Sequence, residues 1–152
     1  MKKNKFKYVA VFILILISAV IIDRIIKVTA LDYLNQDIRL INDFLKLSLS
    51  RNIGIAFSIG LPMIVQLIIF PVLFVSGLVL IYKYYDISSV FVQIIAGFIA
   101  GGAIGNFIDR ICYGYVIDYI SVSIFPVFNL ADIEIVIGIF LLVVFYGKIK
   151  RV

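Results

Sequence analysis

Four aspartates stand at the ends of apolar segments of the sequence. Asp23 ends the first such segment, Asp109 ends the third, Asp118 follows shortly afterwards, and Asp132 opens the fourth. An ionisable group at membrane depth costs about 2.5 to 3.5 kcal/mol on insertion scales, so its presence favours a functional role. Two close carboxylates share one proton, because both cannot ionise cheaply, and such a pair offers an acid beside a base. The aspartates therefore predict an acid–base site, although their spacing does not select which two form the pair.

The residue types that the sequence lacks narrow the possible chemistry. There is no histidine, and Cys112 is the single cysteine. An internal disulfide, a histidine-based zinc site, a Ser-His-Asp triad and a Cys-His dyad are therefore excluded. Carboxylate chemistry, a Ser-Lys pair and no catalysis remain, and we expect neither a metal ion nor another cofactor.

Two alternatives to a carboxylate pair stay open at this point. In the first, each aspartate is an interfacial residue that pairs with a nearby basic side chain, namely Arg24, Lys27 or Arg110. In the second, a Ser-Lys peptidase uses Ser50 or Ser58 with Lys46. That mechanism needs a desolvated lysine beside the serine, whereas Lys46 lies on the polar side of an apparent strand.

The elements that must position these residues are predicted to be membrane helices. The chain has 152 residues, of which 64% are hydrophobic and 15% charged, whereas roughly a quarter are charged in soluble domains. A spanning helix needs about 20 apolar residues. We expect one all-α integral membrane domain, 1–152, with four transmembrane helices at about 8–28, 62–82, 90–108 and 133–147.

Basic residues predict the orientation of these helices. Eight of them flank the apolar segments on one side: Lys2, Lys3, Lys5, Lys7, Lys83, Lys148, Lys150 and Arg151. The positive-inside rule makes that side cytoplasmic, so both termini are expected there, and the segments 29–61 and 109–131 are expected outside. The net charge of +5 is explained by this flanking, and we expect no nucleic-acid partner.

Both outer segments contain a pattern typical of β-strands. Apolar and polar residues alternate around Leu45, Leu47 and Leu49 in the first segment, and around Ile120, Val122 and Ile124 in the second. A period of two is typical of a half-buried strand. We expect the two strands to pair as a small extracytoplasmic β-platform that the four helices support.

Small residues recur every four positions in the third helix, at Gly97, Gly101 and Gly105. This spacing places them on one face of a helix and permits close packing against a neighbouring helix. We therefore expect this face to be a helix–helix contact rather than a groove for substrate.

Five strings of residues resemble conserved sequences of one family, the lipoprotein signal peptidases (signal peptidase II). They are DRIIK at 23–27, RNIGIAFS at 51–58, GGAIGNFIDR at 101–110, GYVIDYI at 114–120 and FNLADIEIVIG at 128–138. The strings keep the order and the topological positions that they have in that family. The resemblance implies an aspartic endopeptidase of the bacterial inner membrane, with its active site at the outer face.

The resemblance also implies roles for particular residues. Asp118 and Asp132 match the catalytic dyad. Eight further residues match positions that bind substrate or support the dyad: Asp23, Asn52, Gly54, Asn106, Asp109, Arg110, Asn129 and Ala131. For Asn129 a helix cap is an equal alternative, and for Asp109 and Arg110 we favour an ion pair with each other.

The implied substrate is a diacylglyceryl-modified prolipoprotein, cut before its lipid-bearing cysteine. Membrane lipid is the other expected partner, and we expect a monomer. A non-catalytic four-helix transporter subunit or assembly factor is the alternative, and it predicts carboxylates spread through the depth of the membrane. Two residues depart from the family pattern, since Arg24 replaces a usual glutamine and Glu134 a usual small residue.

Overall fold

The computed structural model describes residues 5–54 and 60–151. Within these residues, five helices and three strands follow one another as α1 (Lys5–Tyr33), β1 (Ile38–Ile41), β2 (Leu45–Asn52), α2 (Met63–Tyr84), α3 (Val90–Tyr113), β3 (Val116–Val122), α4 (Leu130–Val144) and α5 (Tyr146–Ile149). Mostly helical architecture with a small sheet agrees with the prediction. Ser58, one candidate nucleophile of a Ser-Lys pair, lies outside the described residues.

Three helices in the described part of the chain, α1, α2 and α3, are long and apolar enough to cross a membrane. Helix α4 is also apolar but has only 15 residues, so the fourth span stays a prediction. Helix α3 extends to Tyr113, five residues beyond the predicted end at 108. Asp109 and Arg110 therefore lie inside a helix and not in an outer segment.

Helix α3 is the centre of the bundle and packs against both α1 and α4. Its glycine face makes the first of these contacts possible: a Cβ atom at Gly101 would lie 2.5 Å from Cβ of Ala19 in α1. Gly102 faces the other way, where a Cβ atom would lie 2.5 Å from the backbone oxygen of Ala131 in α4. The predicted close packing of the small-residue face is confirmed.

The ends of α3 are fixed by local chemistry. At the first turn, the side chain of Ser89 accepts a hydrogen bond from the backbone N–H of Val92, as a helix N-cap does. At the other end, Gly114 has a φ angle of 80°, a left-handed conformation that glycine adopts without a Cβ clash. This turn leads directly into β3 and brings Asp118 close to the end of α3.

The three strands form one antiparallel sheet in the order β1-β2-β3. Both predicted strands exist, although β3 ends before Ile124 and the strand β1 was not predicted. In the pairing of β2 with β3, Ser50 is opposite Asp118 and Lys46 is opposite Ser121. Four positions along a strand separate Lys46 from Ser50 by roughly 13 Å between Cα atoms, which does not favour a Ser-Lys pair.

At the opposite end of the bundle the residues after α4 bind the turn between α2 and α3. Tyr85 and Lys150 form a β-bridge, and the backbone N–H of Arg151 donates to the backbone oxygen of Tyr84 at 2.9 Å. Lys83 in the last turn of α2 and the basic residues after α4 therefore lie at one end of the bundle, opposite the sheet.

Candidate active site

The aspartates predicted as the dyad come from two different elements. Asp118 is the third residue of β3, and Asp132 lies in the first turn of α4. Asn129 connects them. Its side-chain Nδ2 donates to Oδ1 of Asp118 at 2.7 Å, while its backbone N–H donates to Oδ2 of Asp132 at 3.2 Å. The two carboxyl groups are thus held next to each other by one residue.

Asp118 is buried, with 2% of its surface exposed. Its second oxygen, Oδ2, accepts a hydrogen bond of 3.0 Å from Nδ2 of Asn52 at the end of β2. Burial, and after it the charge of Asp132, raises the pKa of Asp118 to about 6, although the hydrogen bonds from Asn52 and Asn129 act in the opposite direction. Asp118 is therefore a carboxyl group that holds a proton more readily than usual.

Asp132 has a more open position and is half-buried. Its Oδ1 accepts a hydrogen bond of 2.8 Å from Nδ2 of Asn106 in α3. Its backbone N–H donates to Oδ1 of Asn129 at 3.0 Å, so the two residues form a reciprocal capping box at the start of α4. Asn129 is consequently both a helix cap and a contact of the dyad, which unites the two alternatives for this residue.

The polarity of two of these amides is fixed by groups that can only donate. Oδ1 of Asn52 accepts from the backbone N–H of Gly54 at 2.9 Å, and Oδ1 of Asn129 accepts from the N–H of Asp132. The nitrogen of each amide must therefore point towards a carboxylate. The side-chain and backbone contacts described here bring a donor to all four oxygens of the two aspartates.

A buried ion cluster lies beneath the dyad. Lys27 is fully buried, and its Nζ contacts Oδ2 of Asp23 at 2.9 Å, Oδ2 of Asp109 at 2.8 Å and Oδ1 of Asn106 at 2.8 Å. Arg24 pairs with the other oxygen of Asp109 at 2.6 Å. The cluster joins α1 to α3 and, through Asn106, reaches the dyad.

Arg110 faces a different direction from its neighbour Asp109. Its Nε donates to Oε1 of Gln66, its Nη1 to the backbone oxygen of Asn106, and its Nη2 to the backbone oxygen of Gly54, at 2.9, 3.0 and 3.2 Å. The predicted ion pair between Asp109 and Arg110 is therefore wrong. Adjacent helical residues point about 100° apart, so Asp109 reaches α1 while Arg110 reaches α2 and the end of β2.

The remaining predicted residues lie around this centre. Ala131 is fully buried against Gly102, which allows α4 to approach α3 at the level of the dyad. Glu134 is half-buried, and within the described part of the chain its buried Oε2 has no hydrogen-bond partner. Among residues 5–54 and 60–151, no group of three or more His, Cys, Asp and Glu residues could hold a metal ion.

The distribution of charge does not favour a transmembrane ion path. Four carboxylates from four elements gather in one cluster at the sheet end of the bundle: Asp23 of α1, Asp109 of α3, Asp118 of β3 and Asp132 of α4. A path would need such groups along the whole depth of the helices.

A family model described as Signal peptidase (SPase) II matches residues 15–147 of the chain. The chain belongs to the signal peptidase II family. Among its relatives, the lipoprotein signal peptidase of Halothermothrix orenii is 39% identical over 144 residues, which cover 93% of this chain and 98% of the relative. The lipoprotein signal peptidase of Syntrophomonas wolfei is 42% identical over 127 residues, with 82% and 85% covered.

This member of the signal peptidase II family also resembles solved structures. A bacterial membrane enzyme determined by the in meso method is 31% identical and has a TM-score of 0.78, with 90% of this chain and 87% of the other covered. A second structure with the same description has a TM-score of 0.77, again at 31% identity. In both cases the likeness covers 90% of this chain.

Two residues of the candidate site were not among the predicted site residues. Lys27 was considered only as an interfacial partner of an aspartate, although a lysine placed four residues after Asp23 inside an apolar helix is itself a signal of an internal ion pair. Gln66 in the first turn of α2 gave no signal, because its partners come from residues distant in sequence.

Proposed function

We propose that this chain is an aspartic endopeptidase that removes signal peptides from diacylglyceryl-modified prolipoproteins by cutting before the lipidated cysteine. The main observation behind this proposal is that Asn129 forms hydrogen bonds with both Asp118 and Asp132. It holds two carboxyl groups of unequal burial side by side, as acid–base hydrolysis requires. Family membership and the names of the relatives support the substrate class.

The unequal surroundings suggest separate roles. Asp118, buried and with its pKa raised to about 6, is the protonated member, and the more open Asp132 is the ionised one. Asp132 takes a proton from a water molecule while the oxygen of that water bonds to the peptide carbonyl carbon. Asp118 donates a hydrogen bond to the developing oxyanion. When the oxyanion re-forms the C=O bond and the C–N bond breaks, the proton of Asp118 moves to the leaving amine nitrogen, while the proton taken from water stays on Asp132.

We further propose that α4 crosses the membrane as a fourth span, with both termini in the cytoplasm and the dyad at the outer face of the inner membrane. Basic residues at the end of the bundle opposite the sheet, such as Lys83 and Lys148, support this orientation. The proposed working unit is a monomer.

The test is cleavage of a fluorogenic diacylglyceryl-cysteine lipopeptide by the purified protein, beside an unlipidated peptide of the same sequence. We expect cleavage of the lipidated peptide alone, and its loss in Asp118→Asn and in Asp132→Asn. Asp43→Asn is the control, because Asp43 is an exposed aspartate remote from the dyad. A wild-type protein that cuts neither peptide would favour the non-catalytic alternative, whereas an active Asp118→Asn variant would show that Asp118 is not a member of the catalytic pair.

A further inference from the structure

Gln66 is a buried amide whose three contacts all lie on other elements of the fold. Only 4% of its surface is exposed. Its Nε2 donates to the backbone oxygens of Ile53 and Leu61, both at 2.8 Å, and its Oε1 accepts from Nε of Arg110 at 2.9 Å. One side chain therefore joins the residue after β2, the residue before α2 and the end of α3.

The direction of this amide is fixed by chemistry. The guanidinium group of Arg110 can only donate, so the oxygen of Gln66 must face it, and both hydrogens on Nε2 remain for carbonyl groups. Ile53 and Leu61, eight positions apart in the sequence, supply those two carbonyl groups. Of the common side chains at this length, only glutamine accepts one such bond and donates two.

The contacts of Gln66 lead to the dyad. Arg110 also donates to the backbone oxygen of Gly54, and the backbone N–H of Gly54 donates to Oδ1 of Asn52. Nδ2 of Asn52 then donates to Asp118. The peptide segment of residues 52–54 is thus held from one side by Gln66 and Arg110, and presents a donor to the dyad on the other.

We propose that Gln66 is a positioning residue of the active site: by holding the backbone of Ile53 and the side chain of Arg110, it keeps Asn52 in contact with Asp118. The inference rests on the proposed function, and it adds a residue that does not touch the dyad. Without the amide, the backbone oxygen of Ile53 loses its hydrogen bond from Nε2 of Gln66, and the donor from Asn52 to Asp118 is held less firmly.

This role predicts an effect on acid–base behaviour that a loss of stability alone would not give. The hydrogen bond from Asn52 lowers the pKa of Asp118, so weakening it moves the titration of Asp118 to higher pH. The charged groups that face Asp118 are Asp132 from α4, Arg110 from α3 and Lys27 from α1. Substitution of Gln66 removes none of these charges, so a shift of the Asp118 titration reports on the hydrogen bond from Asn52.

The experiment compares Gln66→Leu and Gln66→Glu with Gln93→Leu. Glutamate still accepts from Arg110 but cannot donate to the two carbonyl groups. Gln93 is a matched control, because its Nε2 donates to the backbone oxygen of Ile87 at the opposite end of the bundle. We expect both Gln66 variants to lower kcat about tenfold, the equivalent of one weakened hydrogen bond, and Gln93→Leu to leave kcat unchanged.

A double-mutant cycle with Asn52→Ala tests whether Gln66 affects Asp118 through Asn52. If Gln66 acts through Asn52, adding Gln66→Leu to Asn52→Ala lowers kcat no further. Independent, multiplying effects would overturn the proposal, and so would a Gln66→Glu variant with the wild-type kcat.

An isotope-edited infrared titration of the carboxyl groups, with Asp118→Asn to identify its band, gives a result without any substrate. We expect the Asp118 midpoint to move to higher pH in Gln66→Leu and to stay in place in Gln93→Leu. An unchanged midpoint in Gln66→Leu overturns this inference even if cleavage is observed. Absence of cleavage by the wild-type protein, with the midpoint shifted as expected, overturns the proposed function and leaves the inference supported.

Discussion

Lys27 donates a hydrogen bond of 2.8 Å from its fully buried ammonium group to Oδ1 of Asn106. Because an ammonium group has donors and no acceptor, it fixes the amide so that Nδ2 faces Oδ1 of Asp132. The charge of Lys27 therefore orients a neutral donor towards the dyad without making a direct ion pair with it.

The first prediction tests this orientation with Asn106→Asp. The substitution keeps an acceptor for Lys27 but replaces the donor to Asp132 with a second carboxyl oxygen. We expect kcat to fall about 10- to 100-fold, as for the loss of a hydrogen bond to a charged group. Lipopeptide cleavage measures it, with Asn42→Asp in the exposed turn after β1 as the control. An Asn106→Asp variant as active as that control would contradict the proposed role.

The second prediction concerns the stability of the buried ion cluster. Lys27→Met leaves the carboxylates of Asp23 and Asp109 without their shared partner inside the bundle. Breaking a buried pair from one side costs about 3 to 5 kcal/mol, so we expect a large fall in the free energy of unfolding. Arg39→Met is the control, since Arg39 and its partner Asp43 are 70% and 76% exposed and such pairs contribute little. Denaturant unfolding in detergent micelles compares them, and equal losses would contradict the prediction.

The third prediction concerns the contact between α1 and α3. An alanine at Gly101 would place its Cβ 2.5 Å from Cβ of Ala19, whereas a Cβ at Gly77 in α2 meets nothing within 4 Å. We expect Gly101→Ala to destabilise the protein by about 1 to 3 kcal/mol, and Gly77→Ala to leave stability unchanged or slightly raised. Thermal unfolding of the two variants is the measurement. Equal unfolding midpoints would mean that α1 and α3 move apart to accommodate the new Cβ atom with no loss of stability.

The fourth prediction is the pH dependence of cleavage. Burial raises the pKa of Asp118 to about 6. On the proposed mechanism Asp118 is the acid, so activity is expected to fall as the pH rises through that region and Asp118 loses its proton. Tyr119, the residue beside it, has its pKa raised to about 12, mainly by burial, and stays protonated throughout. We therefore expect Tyr119→Phe to leave the alkaline limb of the profile in place. A limb that moves with Tyr119→Phe would assign the titration to another group.

Sequence patterns identified most of the elements but not all of their partners. Length and hydropathy were enough for α1, α2 and α3, and alternation was enough for β2. Strand β1 was missed because its four residues are all exposed, so no face of it carries a pattern. The same limit applies to Ile124, which alternates with its neighbours but lies beyond the last paired residue of β3.

The candidate site was predictable where chemistry alone selects a residue. A carboxylate at the end of an apolar helix can be recognised from the sequence. The resemblance to the family then selected Asp118 and Asp132, whose roles remain proposals. The contacts around these aspartates depend on the direction in which each neighbouring side chain points, and the sequence does not give that direction. Asp109 and Arg110 seemed a natural pair because they are adjacent, yet the helix points them at different neighbours. Gln66 was missed because its acceptors are backbone carbonyl groups, which every residue has.

Helix α4 begins at the dyad and has 15 residues, about 22 Å at 1.5 Å per residue, whereas a hydrocarbon core is about 30 Å thick. On the proposed topology we expect the bilayer to thin around α4, at a modest cost for each ångström. The cleavage rate should then depend on the acyl-chain length of the lipids. In a thicker bilayer, Asp132 lies deeper than the scissile bond of a lipid-anchored substrate. Cleavage rates in nanodiscs of graded acyl-chain length measure this dependence, and a rate that is independent of thickness would place the start of α4 at the membrane surface.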